Sequence, residues 1–260
     1  MAETSNNTID ELLTKSTGVL IKTTLVDFPG KVASAYFLRG CNLRCPYCYN
    51  VELVKGISNA TQVEESNQQF VSPVQVLEHL FKRKNVMNGL VISGGEPLLN
   101  PVTPELIKQA KKMGYSVKLD TNGTLPLLLE KLLSDPETRP DFIAMDFKTS
   151  PSRYNTEIKP VANFIHADFK ELIKTSIDLI KTLGKENYEI RTVLVPGLVE
   201  KTDIKNMASI IPQDASWQLA QFRNENCIDT AYNEIAPYID AQLKELTDYA
   251  NSFIPGAALR

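Results

Sequence analysis

The sequence predicts an α/β fold, an open, partial (β/α)6 barrel of parallel strands. Three observations carry that expectation. Short apolar or β-branched runs alternate along the chain with segments of helical periodicity. Most of the runs are near-continuously apolar, as strands covered on both faces are. There are six of them, fewer than the eight that close a barrel.

In chain order, Met1 to Thr17 come first, mostly polar, with acids at Glu3, Asp10 and Glu11. They read as a flexible tail, with at most a short helix at Asp10–Lys15, ahead of one domain over residues 18–260. The apolar runs are Ala33–Leu38, Leu90–Ser93, Tyr115–Leu119, Phe142–Asp146, Ile190–Val195 and Trp217–Gln221. Each is too short for a buried helix. Between them, Ser72 reads as an N-cap, with Pro73 in the first helical position and Gln75 three residues after the cap. Thr103-Pro104 opens the next helix similarly. Asp168–Leu183 is another, stopped by Gly184, and Pro237–Phe253 is the last. The polar stretch Ser58–Gln69 reads as a surface insertion. Its Asn59-Ala60-Thr61 sequon is uninformative in a cytosolic chain.

Composition excludes several classes. Apolar residues make up 43% of the 260, enough for a sizeable core, and the net charge is −3. No basic field attracts nucleic acid. No window has the roughly 18 apolar residues of a membrane span, and the N-terminal stretch lacks the basic and apolar regions of a secretory signal. The expected location is the cytoplasm. There, four cysteines point to metal or catalysis before disulfides.

Three of them cluster in Gly40-Cys41-Asn42-Leu43-Arg44-Cys45-Pro46-Tyr47-Cys48-Tyr49-Asn50, directly after the first predicted strand. Thiolates are soft ligands that suit iron–sulfur clusters or zinc. A cube-shaped cluster normally takes four cysteines. Three on one short loop leave one iron without a protein thiolate, and an open position separates a reactive metal centre from a structural one. The same residues also suit a four-thiolate zinc knot completed by Cys227, or plain buried thiols.

C-x3-C-x2-C with an aromatic before its third cysteine resembles the hallmark of the radical S-adenosylmethionine (SAM) superfamily. The resemblance implies a [4Fe–4S] cluster on Cys41, Cys45 and Cys48. It also implies SAM chelated at the open iron by its amino and carboxylate groups, and reductive cleavage to a 5′-deoxyadenosyl radical. Tyr47 is then a cofactor neighbour. Other strand ends carry similar resemblances. Ser93-Gly94-Gly95-Glu96-Pro97 is similar to the Gly-Gly-Glu motif that holds the SAM amino group, its glycines allowing close approach to a ligand. Asp120-Thr121-Asn122-Gly123 resembles a segment of the activases of glycyl radical enzymes, in which the Asp helps place SAM. Met145-Asp146-Phe147-Lys148 resembles their D-x-K motif, whose Lys approaches the SAM carboxylate. The same group implies a monovalent cation shared by Asp120 and Asp146. It also implies Arg191 and Val193 near SAM. Arg223 stands where a pyruvate formate-lyase activase has His, which leaves it either at the SAM ribose or paired with an acid.

Thr24-Leu25-Val26-Asp27-Phe28-Pro29-Gly30-Lys31 reads locally as a Pro-Gly turn. It also resembles those activases. With Gln221 to Cys227 it looks most like the long activating proteins of anaerobic ribonucleoside-triphosphate reductase. The implied partners are a glycyl radical enzyme, offering a glycine loop that Asp27 helps grip, and a flavodoxin- or ferredoxin-like electron donor. Cys227 is expected to be a packed free thiol, and His79 and His166 to have no role. The competing functions are a radical SAM enzyme acting on a small molecule, such as a deazapurine synthase, and a non-enzymatic zinc-binding interaction module.

Overall fold

A computed structural model describes residues 11–15, 17–54, 69–162 and 167–260 of the chain. Residues 1–10, most of the Ser58–Gln69 insertion with its sequon, and His166 lie outside the described residues. Residues 11–14 are helical, as the short-helix expectation allows. Thr17 already belongs to the sheet: its amide donates to Val71 O (3.1 Å) and its carbonyl accepts from Arg39 N (2.9 Å).

The chain divides into two compact units. The first comprises Met1–Cys41, Glu52–Asp120 and Glu130–Phe142. Its strands are β1 (Gly18–Thr24), β2 (Ala33–Leu38), β3 (Phe70–Val71), β4 (Gly89–Gly94) and β5 (Ser116–Thr121), in the order β3-β1-β2-β4-β5. β2, β4 and β5 are parallel; β1 runs antiparallel to both neighbours. Its helices are α1 (Val51–Val54), α2 (Pro73–Arg83) and α3 (Thr103–Lys112). α2 has the expected capping box: Gln75 N donates to Ser72 Oγ and Ser72 N to Gln75 Oε1. In α3 the cap is Val102 rather than Thr103, whose hydroxyl instead donates to Pro97 O (2.7 Å).

The second unit comprises Asn42–Val51, Thr121–Leu129 and Ile143–Arg260. It holds β6 (Phe142–Asp146, from its second residue), β7 (Tyr188–Leu194), β8 (Trp217–Gln221) and β9 (Ala257–Leu259), all parallel and in that order. Its helices are α5 (Phe169–Lys181), α6 (Lys201–Ala208) and α7 (Asp240–Asn251); a further helix, α4 (Pro126–Ser134), follows β5. Asp168 caps α5, and Gly184 follows it at φ 86°, as the sequence indicates. The last helix starts three residues after Pro237. β3 and β9 each have one neighbour, so the sheet is not closed. No described helix is long and apolar enough to cross a membrane.

All six anticipated strands form, three of them with the anticipated bounds. Three further strands are additions. β1 is a half-exposed antiparallel strand with a register shift between Ile21 and Thr24. β3 and β9 have two and three residues and exist through pairing alone.

The Thr24–Lys31 segment connects the end of β1 to the start of β2. Thr24 Oγ1 donates to Asp27 Oδ2 (2.6 Å), Lys31 N donates to Phe28 O (3.2 Å), and Gly30 takes a positive φ of 68°. This turn drives Phe28 inward, where it is 4% exposed against Ala33, Ala35 and Val91, with its ring 6.1 Å from that of Phe142. A Cβ on Gly89, the first residue of β4, would stand 3.1 Å from the Phe28 ring. The segment therefore closes the N-terminal ends of β2 and β4. The cysteine loop starts at the other end of β2, about 20 Å of strand away. Within the chain, Asp27 shapes the turn that seats Phe28. Phe28→Ala is expected to destabilise the protein by roughly 3–5 kcal/mol, read as a lower denaturant midpoint.

Candidate active site at the strand ends

In the first unit, β2 and β4 end side by side. Gly40 N donates to Leu53 O (2.7 Å), Glu96 N to Gly40 O (2.7 Å) and Gly95 N to Leu38 O (2.9 Å). A Cβ on Gly94 would meet Leu38 O at 2.1 Å, and one on Gly95 would meet Gly40 O at 2.1 Å and Cys41 Cβ at 3.1 Å. Both positions thus require glycine because the chain leading to Cys41 packs against them. Gly94 also needs its φ of 121°. Glu96 is fully buried, and its Oε1 accepts from Leu98 N (3.1 Å), capping the turn Pro97–Leu99. Its carboxylate holds the turn that carries the two glycines. One strand further, Asp120 Oδ2 accepts from Ser93 Oγ (2.9 Å) and Oδ1 from Lys118 Nζ (2.6 Å).

In the second unit the cysteine loop continues without regular structure of its own, so other segments must satisfy its backbone. Asn42 O accepts from Val161 N (2.9 Å), and Arg44 N donates to Ile158 O and Lys159 O. Pro46 O accepts from Asp229 N (3.0 Å) and Cys48 O from Ile228 N (2.9 Å). The Asn42 side chain donates to Thr124 Oγ1 (2.8 Å) and accepts from Asn122 Nδ2 (2.9 Å), a fully buried network. Asn122 is thus a brace for the loop, and Gly123 beside it takes φ 71°.

Lys148 and Arg191 converge on Asp146. Lys148 Nζ donates to Asp146 Oδ2 (2.9 Å), and Arg191 Nε donates to Oδ1 (2.7 Å). Asp146 and Arg191 are also register partners in β6 and β7. Burial pushes the Asp146 carboxyl up, but Arg191 and Lys148 outweigh it and hold the group well below the usual carboxylate range. Burial likewise works against the Lys148 charge, but Asp146 and the neighbouring Tyr47 and Cys45 raise its pKa well above the ordinary lysine value. The Lys148 and Asp146 side chains are 18% and 29% exposed, so solvent reaches the pair from one side. The Lys148 amide donates to the Tyr154 hydroxyl (2.9 Å), and the Tyr154 ring stacks on Phe169. Val193 is half-buried, two residues along β7 from Arg191 and so on the same strand face.

The second unit thus brings Cys45, Tyr47, Cys48, Asp146, Lys148 and Arg191 into mutual reach. The first unit gathers Cys41, Gly94, Gly95 and Glu96 at one set of strand ends, with Asp120 ending β5 in the same unit. All four cysteines are free thiols. Among the described residues, no three His, Cys, Asp or Glu side chains are gathered closely enough for a single metal ion. Cys227 is buried, with its thiol toward Arg223 O (3.9 Å); burial and the nearby Cys48 push its pKa up. Arg223 itself is exposed.

The donor set fits a cluster with an open iron. Three thiols lie on one loop; burial pushes the Cys48 thiol up, and the charge of the Lys148 ammonium offsets part of that by favouring a thiolate. The Tyr47 hydroxyl is buried with no hydrogen-bond partner among the described residues. A buried polar atom left so calls for a ligand. Sequence reading passed over Asn42, Thr124, Tyr154 and Lys118. Asn42 lies inside the quoted cysteine motif and Thr124 directly after a quoted one, which is a weak signal; Tyr154 and Lys118 carry none.

Comparisons with known proteins bear on the family and the fold. The Radical SAM superfamily matches residues 36–208. A protein of Methanocaldococcus jannaschii named as a glycyl-radical enzyme activating enzyme is 28% identical over 244 residues, covering 93% of this chain and 94% of its own. The pyruvate formate-lyase-activating enzyme of Clostridium pasteurianum is 28% identical over 189 residues, 72% of each chain. The structure of TYW1 with a lysine-pyruvate adduct bound shares the fold: its TM-score is 0.57 at 16% identity, covering 85% of this chain and 73% of that one. Three cysteines on a strand-end loop, the glycine-rich end of β4 and the match over most of the chain lead to one assignment: the chain belongs to the Radical SAM superfamily, whose cofactors are a [4Fe–4S] cluster and SAM.

Proposed function

We propose that this chain activates a glycyl radical enzyme, with anaerobic ribonucleoside-triphosphate reductase as the partner. The observation that carries the site is the buried cysteine loop, whose Tyr47 and Cys45 face the Lys148 ammonium. Likeness to activases over most of the chain supports the choice of substrate.

In this reading Cys41, Cys45 and Cys48 hold the cluster and leave one iron open. When bound, the cluster and SAM supply one-electron cleavage of a carbon–sulfur bond and, through it, removal of a glycine Cα hydrogen. The chain's own residues bind and orient. The carbonyls at Gly94 and Gly95 would accept from the SAM ammonium, and Lys148 would meet its carboxylate. Asp146 keeps Lys148 charged and in place. Asp120 in the first unit, and Tyr47, Arg191 and Val193 in the second, are the further residues assigned to SAM. Electrons come from a flavodoxin- or ferredoxin-like donor in the cytoplasm.

The test mixes anaerobically reconstituted protein, reductant, SAM and the candidate reductase, and looks for a glycyl radical doublet by paramagnetic resonance. The expected result is SAM cleavage with a doublet. Cleavage without a doublet on any glycyl radical protein points instead to a small-molecule substrate. No cleavage, with zinc in place of iron, overturns the reading. Iron analysis gives a second prediction: Cys45→Ala loses the complement of about four irons, whereas Cys227→Ala retains it.

A further inference from the structure

The family resemblance implies a monovalent cation shared by Asp120 and Asp146, and the residues present do not fit one. We propose that the Lys118 ammonium is a built-in cation in its place, so that this protein binds SAM without sodium or potassium. The proposal rests on the reading of Asp120 as a residue of the SAM site.

Lys118 lies within β5, and its side chain is 1% exposed. By register it follows Ala35 on β2 and Val91 on β4 across the sheet, an otherwise apolar row. A methionine or leucine would fill such a position. A buried ammonium there costs several kcal/mol unless a counter-charge meets it. The counter-charge is Asp120, two residues along the strand and so on the same face: Nζ stands 2.6 Å from Oδ1. Ser93 Oγ holds Oδ2 at 2.9 Å. Both carboxylate oxygens are engaged, one of them by a fixed single positive charge. An ammonium group is close to potassium in size and equal to it in charge.

The other carboxylate is also satisfied. Asp146 has Lys148 on one oxygen and Arg191 on the other. Taken separately, Asp120 with Lys118 sums to zero, and Asp146 with Lys148 and Arg191 sums to one positive charge. Neither carboxylate offers the excess negative charge that holds a monovalent cation. Lys118 is therefore a positioning residue: it fixes the Asp120 carboxylate and supplies the charge a dissolved ion would otherwise bring.

The experiment measures SAM affinity by equilibrium dialysis on the cluster-loaded protein. The buffer holds roughly 0.1 M potassium chloride or the same concentration of tetramethylammonium chloride, which keeps screening equal. Wild type is expected to bind SAM equally in both, within about twofold. Lys118→Ala is expected to lose affinity about tenfold in tetramethylammonium and to regain most of it in potassium or ammonium. Thermal stability of the same variant, without SAM, should rise with potassium, whereas that of wild type should not. A purely packing role for Lys118 gives loss without rescue by ions. A wild type whose SAM affinity depends on potassium overturns the proposal, and this arm holds even if Lys118→Ala does not fold. An unchanged affinity in Lys118→Ala overturns it as well. Wild type that binds no SAM in either buffer defeats the SAM-site reading itself, a different outcome from cation dependence.

Discussion

Backbone hydrogen bonding of the cysteine loop is the constraint on which the site depends. Most of residues 41–48 are buried, yet they form neither helix nor strand. A buried amide or carbonyl without a partner costs about 1–3 kcal/mol. The chain meets this need from several directions. Gly40 is bonded to Leu53 and Glu96 in the first unit; Asn42, Arg44, Pro46 and Cys48 are bonded to segments around residues 158–161 and 228–229 in the second. In the second unit, the loop residues held at these points present Cys45 and Cys48 on a fixed backbone before any metal arrives, as pre-organised sites require.

Charge is arranged in the same spirit. Two acids that end strands each have a lysine two residues away in sequence: Lys118 with Asp120, Lys148 with Asp146. Lys118 is sealed in, and its ammonium bonds to the Asp120 carboxylate. Lys148 is more open and also faces Tyr47 and Cys45. One pair is structural in character and the other is poised toward a ligand, though their sequence spacing is the same. Burial makes the difference, because a desolvated ion pair is committed to itself, whereas a partly solvated one can accept a further partner.

Most of the parallel strands were legible in the sequence because a doubly covered strand must be apolar throughout. The site motifs were legible because cysteines, paired glycines and charged residues at strand ends are chemically conspicuous. Other features depend on tertiary partners and leave little trace. β3 and β9 are strands only through pairing, and β1 alternates too irregularly to stand out. The Asp27 segment was recognisable as a motif but not as a place: nothing local says which end of the strands a connecting turn occupies. The two glycines after Ser93 suggested room for a ligand, whereas the side a Cβ would occupy is filled by the chain at Leu38 and Gly40. Asn42 and Asn122 lie inside quoted motifs, but their mutual bond spans 80 positions of sequence and leaves no local signal.

The central claim is that the loop's three thiols leave one iron open and that SAM occupies it. The most direct measurement is electron–nuclear double resonance on the reduced, reconstituted protein, with SAM isotopically labelled at its amino nitrogen and its carboxylate carbon. The account predicts hyperfine coupling of both labels to the cluster, unchanged in Cys227→Ala. A cluster that couples to neither label, with its fourth iron bound by Cys227, would contradict it.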